Sequence, residues 1–340
     1  MNRILCIPLT TQASRRLSRI ALSLGIGVGL GLGAALPSTA QTYPTRTIKL
    51  MVPLAAGSTA DILSRTVGNE LASALGQSVL VENKPAAGGT VAMSEVARAA
   101  PDGYTISFAS QGNLVFNQAI YARPGYDSQK DFAPIIFVGG VSNVMVVPPN
   151  SPAKSVADVI AAAKANPGMT FSSGGNGTSH HLSGVLFGQL TGTDLLHVPY
   201  KGAPQGIMAV MSGEVAMGFF NTPTVINQIK AQKLRGLAVT SLTPSPLLTD
   251  LPTLDGSGVK GYEVNTWFGF VAPAGTPADV ISKLHAAIGK IIVQPEIREK
   301  LAAQGFELSP LKTPAEFAQI IREDFKKWPA IIKASGAKVD

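Results

Sequence analysis

The stretch TIKLMVPLAAGSTADILSRTVGNELASALG, residues 47–76, carries the pattern on which the fold turns. Ile48 to Val52 is a short apolar run suited to a strand buried on both faces. Pro53 to Thr59 is a loop of Pro, Gly, Ala and hydroxyl residues, and beyond it Leu63, Val67, Leu71 and Leu75 recur at every fourth position. That spacing lines one face of a helix, and Gly76 supplies a natural stop. A strand that feeds directly into a helix is half of a βαβ unit, which builds parallel sheet.

The same unit repeats along the chain. Val79 to Val81 reads as a strand, Asn83 to Gly89 as a loop, and a short helix runs to about Ala99. Pro101-Asp102-Gly103 turns the chain into a strand over Thr105 to Ala109. A second series starts around Val144-Met145-Val146-Val147. Ser155 and Asp158 form a capping box for a helix that ends near Asn166-Pro167-Gly168. A strand over Thr170 to Ser172 then gives way to the loop Ser173 to Ser179 and a helix from about His180 to Leu190, with strands near Leu195–Val198, Val215–Phe219 and Leu237–Val239 after it. Trp267 to Val271 is one more strand. Thr276-Pro277 and Thr313-Pro314 each read as an N-cap with Pro at the first helical position, which predicts helices over 277–292 and 314–334 with a shorter one between. The pattern is α/β: mainly parallel sheets covered by helices, with C-terminal helices that lack strands of their own and so return to the first domain.

A chain of 340 residues is long enough for two domains. With 45% hydrophobic and 14% charged residues it is too apolar and too weakly charged for intrinsic disorder. Arg3, Arg15, Arg16 and Arg19 precede an uncharged run from Ile20 to Leu36, and Ser38-Thr39-Ala40 follows. This is the form of an export signal cleaved between Ala40 and Gln41, by the general secretory or the twin-arginine route. Its glycines mimic dinucleotide-binding and helix-dimer motifs, but no strand precedes them. Loss of residues 1–40 removes four Arg and no acid, so the formal charge falls from +7 to +3. With no basic run in the remainder, nucleic acid is not an expected partner. The single cysteine, Cys6, leaves with the signal, which excludes disulfides and a Cys nucleophile from the mature chain.

Two loops, Pro53 to Asp61 and Ser173 to Ser179, each join a strand end to a helix start and are rich in small and hydroxyl residues. In an open α/β sheet ligands bind there. Helix N-terminal N–H groups carry partial positive charge, so each loop can cradle an anion, a carboxylate above all, without Arg or Lys. The plain alternative is ordinary capping by Ser58 or Thr59 and by Thr178 or Ser179, and Asp61 has an equally plain role as a first-turn acid. Tyr200 and Asn221 follow strands in the second half, where pocket walls belong. Ser179 beside His180-His181 invites a hydrolase reading, but there is no G-x-S-x-G elbow, and neighbours on a helix point apart. The four histidines, 180, 181, 197 and 285, show no zinc-binding spacing. Asn176-Gly177-Thr178 fits a glycosylation pattern too short to weigh against a ligand loop.

The segments IKLMVPLAAGSTADILSR, VENKPAAGG, PDGYTI, FSSGGNGTSHHLSGVLF, VPYKGAPQGIMAVMSGEVAMGFFNTP and WFGFVAPAGTP, read with the export signal, resemble in order the Bug or TctC family. These are the periplasmic solute-binding receptors of tripartite tricarboxylate transporters. The resemblance implies a two-domain periplasmic-binding-protein (Venus-flytrap) fold. It implies a first domain of residues 41–143 plus 265–340, a second of residues 144–264, and crossings near 141–145 and 260–268. It further implies a monomer without cofactor or catalytic residue, which closes on a small organic carboxylate (a di- or tricarboxylate, an aromatic acid or an amino acid) and hands it to permease subunits. Carried over position by position, the ligand residues are Pro53, Leu54, Ala55, Gly57, Ser58, Thr59 and Asp61 in the first loop. Ser173, Gly177, Thr178 and Ser179 oppose them, and Tyr200, Gly202, Asn221 and Thr222 line the wall. The sequence departs from the family pattern at Leu54, where an aromatic is common, at Ser58, where a second glycine is common, and at His180, where a small residue is usual. Phe220 replaces an acid that often precedes Asn221, which argues against an amino-acid ligand. A receptor that presents its ligand to a sensor is the alternative role.

Overall fold

A computed structural model describes residues 43–334; the expected export signal lies outside the described residues. In chain order, the first half of the chain forms β1 (Ile48–Val52), α1 (Thr59–Leu75), β2 (Val79–Asn83), α2 (Thr90–Ala97), β3 (Thr105–Ser110), α3 (Asn117–Ile120) and β4 (Phe132–Val147). Then come α4 (Val156–Ala165), β5 (Met169–Ser173), α5 (Ser179–Thr191), β6 (Leu195–Pro199), α6 (Ala203–Ser212), β7 (Met217–Asn221), α7 (Thr222–Lys230) and β8 (Arg235–Val239). The chain finishes with β9 (Asn265–Pro273), α8 (Ala278–Ile292), α9 (Pro295–Ala302), β10 (Glu307–Leu308) and α10 (Pro314–Ala334).

The strands form one curled sheet in the order β2-β1-β3-β9-β4-β7-β5-β6, with β8 and β10 also paired to β4. The outer strands are parallel, as the repeated units predict: β1 with β2 and β3, and β5 with β6 and β7. The centre is not. β9 runs antiparallel to β3 and β4, and β4 runs antiparallel to β7 and β8. The expectation of a mainly parallel sheet is corrected there, because β4 and β9 are long strands that run against their neighbours and are not members of a βαβ unit.

β4 pairs with β9 from Phe132 to Ser142 and with β7 and β8 from Asn143 onward. It therefore begins twelve residues before the Val144 run that marks it in the sequence. Pro134, Gly139 and Gly140 hide its first part: the register shifts on either side of Ile136 and Phe137, and Gly139 sits at φ +150 against the backbone of β10. A side chain at Gly139 would collide with the Glu307 carbonyl.

Alternation along the strands fills cores on both faces. In β1, Ile48, Leu50 and Val52 enter one core with Leu63, Val67 and Leu71 of α1, while Met51 enters the core on the other face. In β4, Met145 and Val147 face Phe171 and Phe219, while Val144 and Val146 face Phe220 and Ile207. Each such side chain removed from water contributes about 1.5–3 kcal/mol. Leu284, Ile288 and Ile291 of α8 join the α1 core, and Phe317, Trp328 and Ile332 of α10 join the Met51 core. The C-terminal helices thus pack on the first half, as the chain order requires.

Capping fixes where the loops become helices. Ser58 caps α1, Thr178 caps α5, and Ser155 with Asp158 makes the full box at α4. Thr313 and Glu316 make a second reciprocal pair at α10. Thr276 is the exception: its hydroxyl donates to the Pro273 carbonyl, and Pro277 itself takes the cap position. After β3 the chain also enters a π-helical turn over Gly112–Phe116, of which the sequence pattern gave no sign.

Candidate functional site

The two loops chosen from the sequence converge. The starts of α1 and α5 face one narrow cavity, lined among others by Leu54, Ser58 and Thr59 from one side and Gly177, Thr178, Ser179, Gly202 and Asn221 from the other. Ser58 Oγ accepts the Asp61 N–H and Thr178 Oγ1 accepts the His181 N–H, both at 3.4 Å. Both caps are therefore made. Each satisfies one amide and leaves the first N–H groups of its helix without an intrahelical acceptor at the cavity. No Lys or Arg lines the cavity.

Asn221, at the end of β7, ties the two sides together. Its Oδ1 accepts the Thr59 hydroxyl at 3.1 Å, a contact across the cleft between α1 and β7. It also accepts from His180 Nε2 at 3.1 Å. The amide Nδ2 donates to Asn143 Oδ1 at 2.5 Å and to Ser179 Oγ at 3.4 Å, and Asn143 in turn donates to Ser183 Oγ at 2.8 Å. The Gly174 N–H donates to His180 Nδ1 at 3.3 Å, which leaves the proton on Nε2 and makes the imidazole neutral. Burial holds its pKa down at about 4, against the opposing pull of the Asn221 contact.

Behind this layer, the His181 ring stacks on His197 with centroids 4.0 Å apart, and His197 Nε2 lies 2.7 Å from Ser173 Oγ. Burial lowers His181 to about 4; burial and the neighbouring His181 lower His197 to about 3. The Gly177 N–H donates to His181 Nδ1 at 3.4 Å, so this pair supports the loop from beneath.

The remaining sequence-chosen residues lie outside the cavity itself. Pro53 and Tyr200 line an adjoining outer cleft, and the Tyr200 hydroxyl donates to Glu214 at 2.7 Å. The buried Asp61 carboxylate accepts from the Gly57 N–H and from Arg65 Nε, both at 2.9 Å, and so shapes the loop as its plain reading holds. Gly57 adopts φ +76, which suits glycine. Ala55 stands against Gly202 across the cleft. Ser173 braces Gly175, and the Thr222 hydroxyl donates to the Ser142 carbonyl at 3.0 Å, fastening β7 to β4. Phe220 is fully buried in the core beneath α6 and does not line the cavity.

Ser179 and His181 are not hydrogen-bonded to each other, since the serine bonds Asn221 and the histidine accepts from Gly177. The geometry of a serine nucleophile with its base is not present in this pair.

Sequence reasoning missed Ser110, Asn113, Thr266 and Phe268, and treated His180 as a departure from a pattern; all five line the cavity. Ser110 ends β3 and Asn113 follows it, a position that the strand-end rule would have flagged. Thr266 and Phe268 lie inside β9 and carry no loop signal.

Comparison with known proteins places this geometry in context. The family model described as tripartite tricarboxylate transporter family receptor (TctC) matches residues 63–337. The BugT protein of Bordetella pertussis is 31% identical over 307 residues, covering 90% of this chain and 94% of its own. Among solved structures, Rpa4515 of R. palustris with adipate is 32% identical with a TM-score of 0.84, covering 87% of this chain and all of that one. MatC of Rhodopseudomonas palustris with bound malate is 26% identical with a TM-score of 0.80, covering 85% and 100%. These likenesses carry the Venus-flytrap architecture. Among the described residues, no helix is long and apolar enough to cross a membrane.

Proposed function

The chain belongs to the TctC family of tripartite tricarboxylate transporter receptors, and from that premise we propose that it is a periplasmic, non-enzymatic solute-binding protein that captures a small organic carboxylate. Its lobes are residues 41–143 with 265–340, and residues 144–264; the ligand sits between them and is delivered to membrane permease subunits. One observation supports this reading most: two helix starts, one from each half of the sheet, face a single cavity that has no cationic side chain. Two N-termini, each equivalent to roughly half a positive charge, together match one carboxylate. Ligand that touches both sides stabilises the closed arrangement by its differential affinity for it. The dicarboxylates bound by the relatives suit such a site.

Calorimetric titration of the mature chain, residues 41–340, with succinate, malate, adipate and benzoate tests the reading. One-site binding of at least one acid, without consumption of it, is expected. Absence of heat and of any thermal shift with all four, in a folded protein, would overturn the carboxylate assignment.

A further inference from the structure

Asn113 lies in the π-helical turn after β3, 97% buried, and lines the cavity from the first-half side. Three of its four polar groups are committed. Its Oδ1 accepts the Ser110 N–H at 2.9 Å, its own N–H donates to Ser110 Oγ at 3.3 Å, and its carbonyl accepts the Tyr126 hydroxyl. Because Oδ1 is held by a backbone N–H, which cannot accept, the amide has one orientation. The group left over is Nδ2. It is fully buried and has no partner in the protein.

A buried donor without an acceptor is costly and rare in folded proteins, and on a side chain that lines the cavity it has an acceptor within reach once a ligand is bound. The same wall carries Thr266 and Phe268 of β9. From this we infer that Asn113 is a specificity-determining residue whose Nδ2 donates to a second oxygen of the ligand, one separate from the carboxylate seated at the helix starts. The inference rests on the carboxylate reading above and narrows it: the preferred ligands are organic acids with a second acceptor, such as dicarboxylates or hydroxy and oxo acids, over simple monocarboxylates. A neutral amide gives no charge to this second oxygen, so it selects for an acceptor by geometry and by the penalty of leaving Nδ2 unpaired.

The test uses acids matched in chain length, one with a second carboxylate and one with a methyl group in its place: adipate against hexanoate, and succinate against butyrate. Calorimetry on the wild-type protein should show the diacid at least tenfold tighter in one or both pairs. Asn113→Asp keeps the acceptor for the Ser110 N–H and removes the donor. Asn113→Leu removes both without adding charge. Each should collapse the diacid preference to less than threefold, through weaker diacid binding, with circular dichroism unchanged. If either folded variant keeps the wild-type preference, or the wild type shows none in either pair while binding the acids, the inference fails and the carboxylate reading stands. If the wild type binds none of the four acids the inference fails, and if it binds neither malate nor benzoate as well, the carboxylate reading fails with it. Should Asn113→Leu not fold, Asn113→Asp and the wild-type pairs still decide.

Discussion

At the scale of single residues, Thr59 and Asn221 make the contact that joins the two sides of the cleft. Thr59→Val keeps the shape and removes the hydroxyl. A neutral hydrogen bond of this kind contributes about 0.5–1.5 kcal/mol, so ligand affinity should fall roughly twofold to tenfold. The midpoint of thermal unfolding without ligand should change little. Equal affinity in a calorimetric comparison would remove Thr59–Asn221 from the closing mechanism. His180, His181 and His197 make a separate prediction. All three are held neutral in the fold, with pKa values of about 4, 4 and 3 in place of the ordinary 6.5. Below pH 6.5 the unfolded chain binds protons that the folded chain does not, so stability is full above that pH and declines as pH falls toward 4. For His180 alone the loss approaches roughly 3 kcal/mol. Denaturant midpoints measured from pH 7.5 to 4.5 should fall throughout the lower part of that range; a flat profile would contradict the buried neutral assignment. Hydroxyl and glycine types at a strand end made Ser58, Thr59, Thr178 and Ser179 legible in the sequence. His180 was not legible, because its role depends on Gly174 and Asn221, which the fold brings to it from separate elements.

At the scale of elements, the cleft is built from glycines that let backbones meet. Gly202 is extended, with φ 177, so alanine there brings no backbone strain. An added methyl group would, however, collide with that of Ala55 across the cleft. Gly202→Ala should fold normally and bind ligand at least tenfold more weakly, since the collision arises where the two sides approach. Unaltered affinity by titration would mean that this approach is not part of the bound state. The helix starts make a further prediction. Ser58→Ala and Thr178→Ala each remove a cap worth about 1 kcal/mol, and because the same turn faces the cavity, both should lower stability and affinity together. Denaturation and titration of the same preparations would separate a cap that acts on folding alone. The outer strands and helices were legible because each keeps its own period of two or nearly four. β4 was only half legible: Pro134 and the two glycines break its pattern, and its pairing with β9 connects residues more than a hundred positions apart. The π-helical turn that holds Asn113 carries no periodic signal.

At the scale of the whole molecule, two half-sheets share β4, which changes partner from β9 to β7 at Ser142–Asn143. The Asn143 side chain reaches Asn221 from that point, which connects the crossing strand directly to the cavity. An organic acid bound between α1 and α5 would therefore bear on both halves and on the strand that joins them. Native mass spectrometry of residues 41–340, as purified and again after addition of adipate and malate, tests this most directly. A one-to-one complex is expected, whose added mass, released on denaturation, is that of a small carboxylic acid. A protein that is ligand-free in every charge state, and stays so with both added acids, would contradict it.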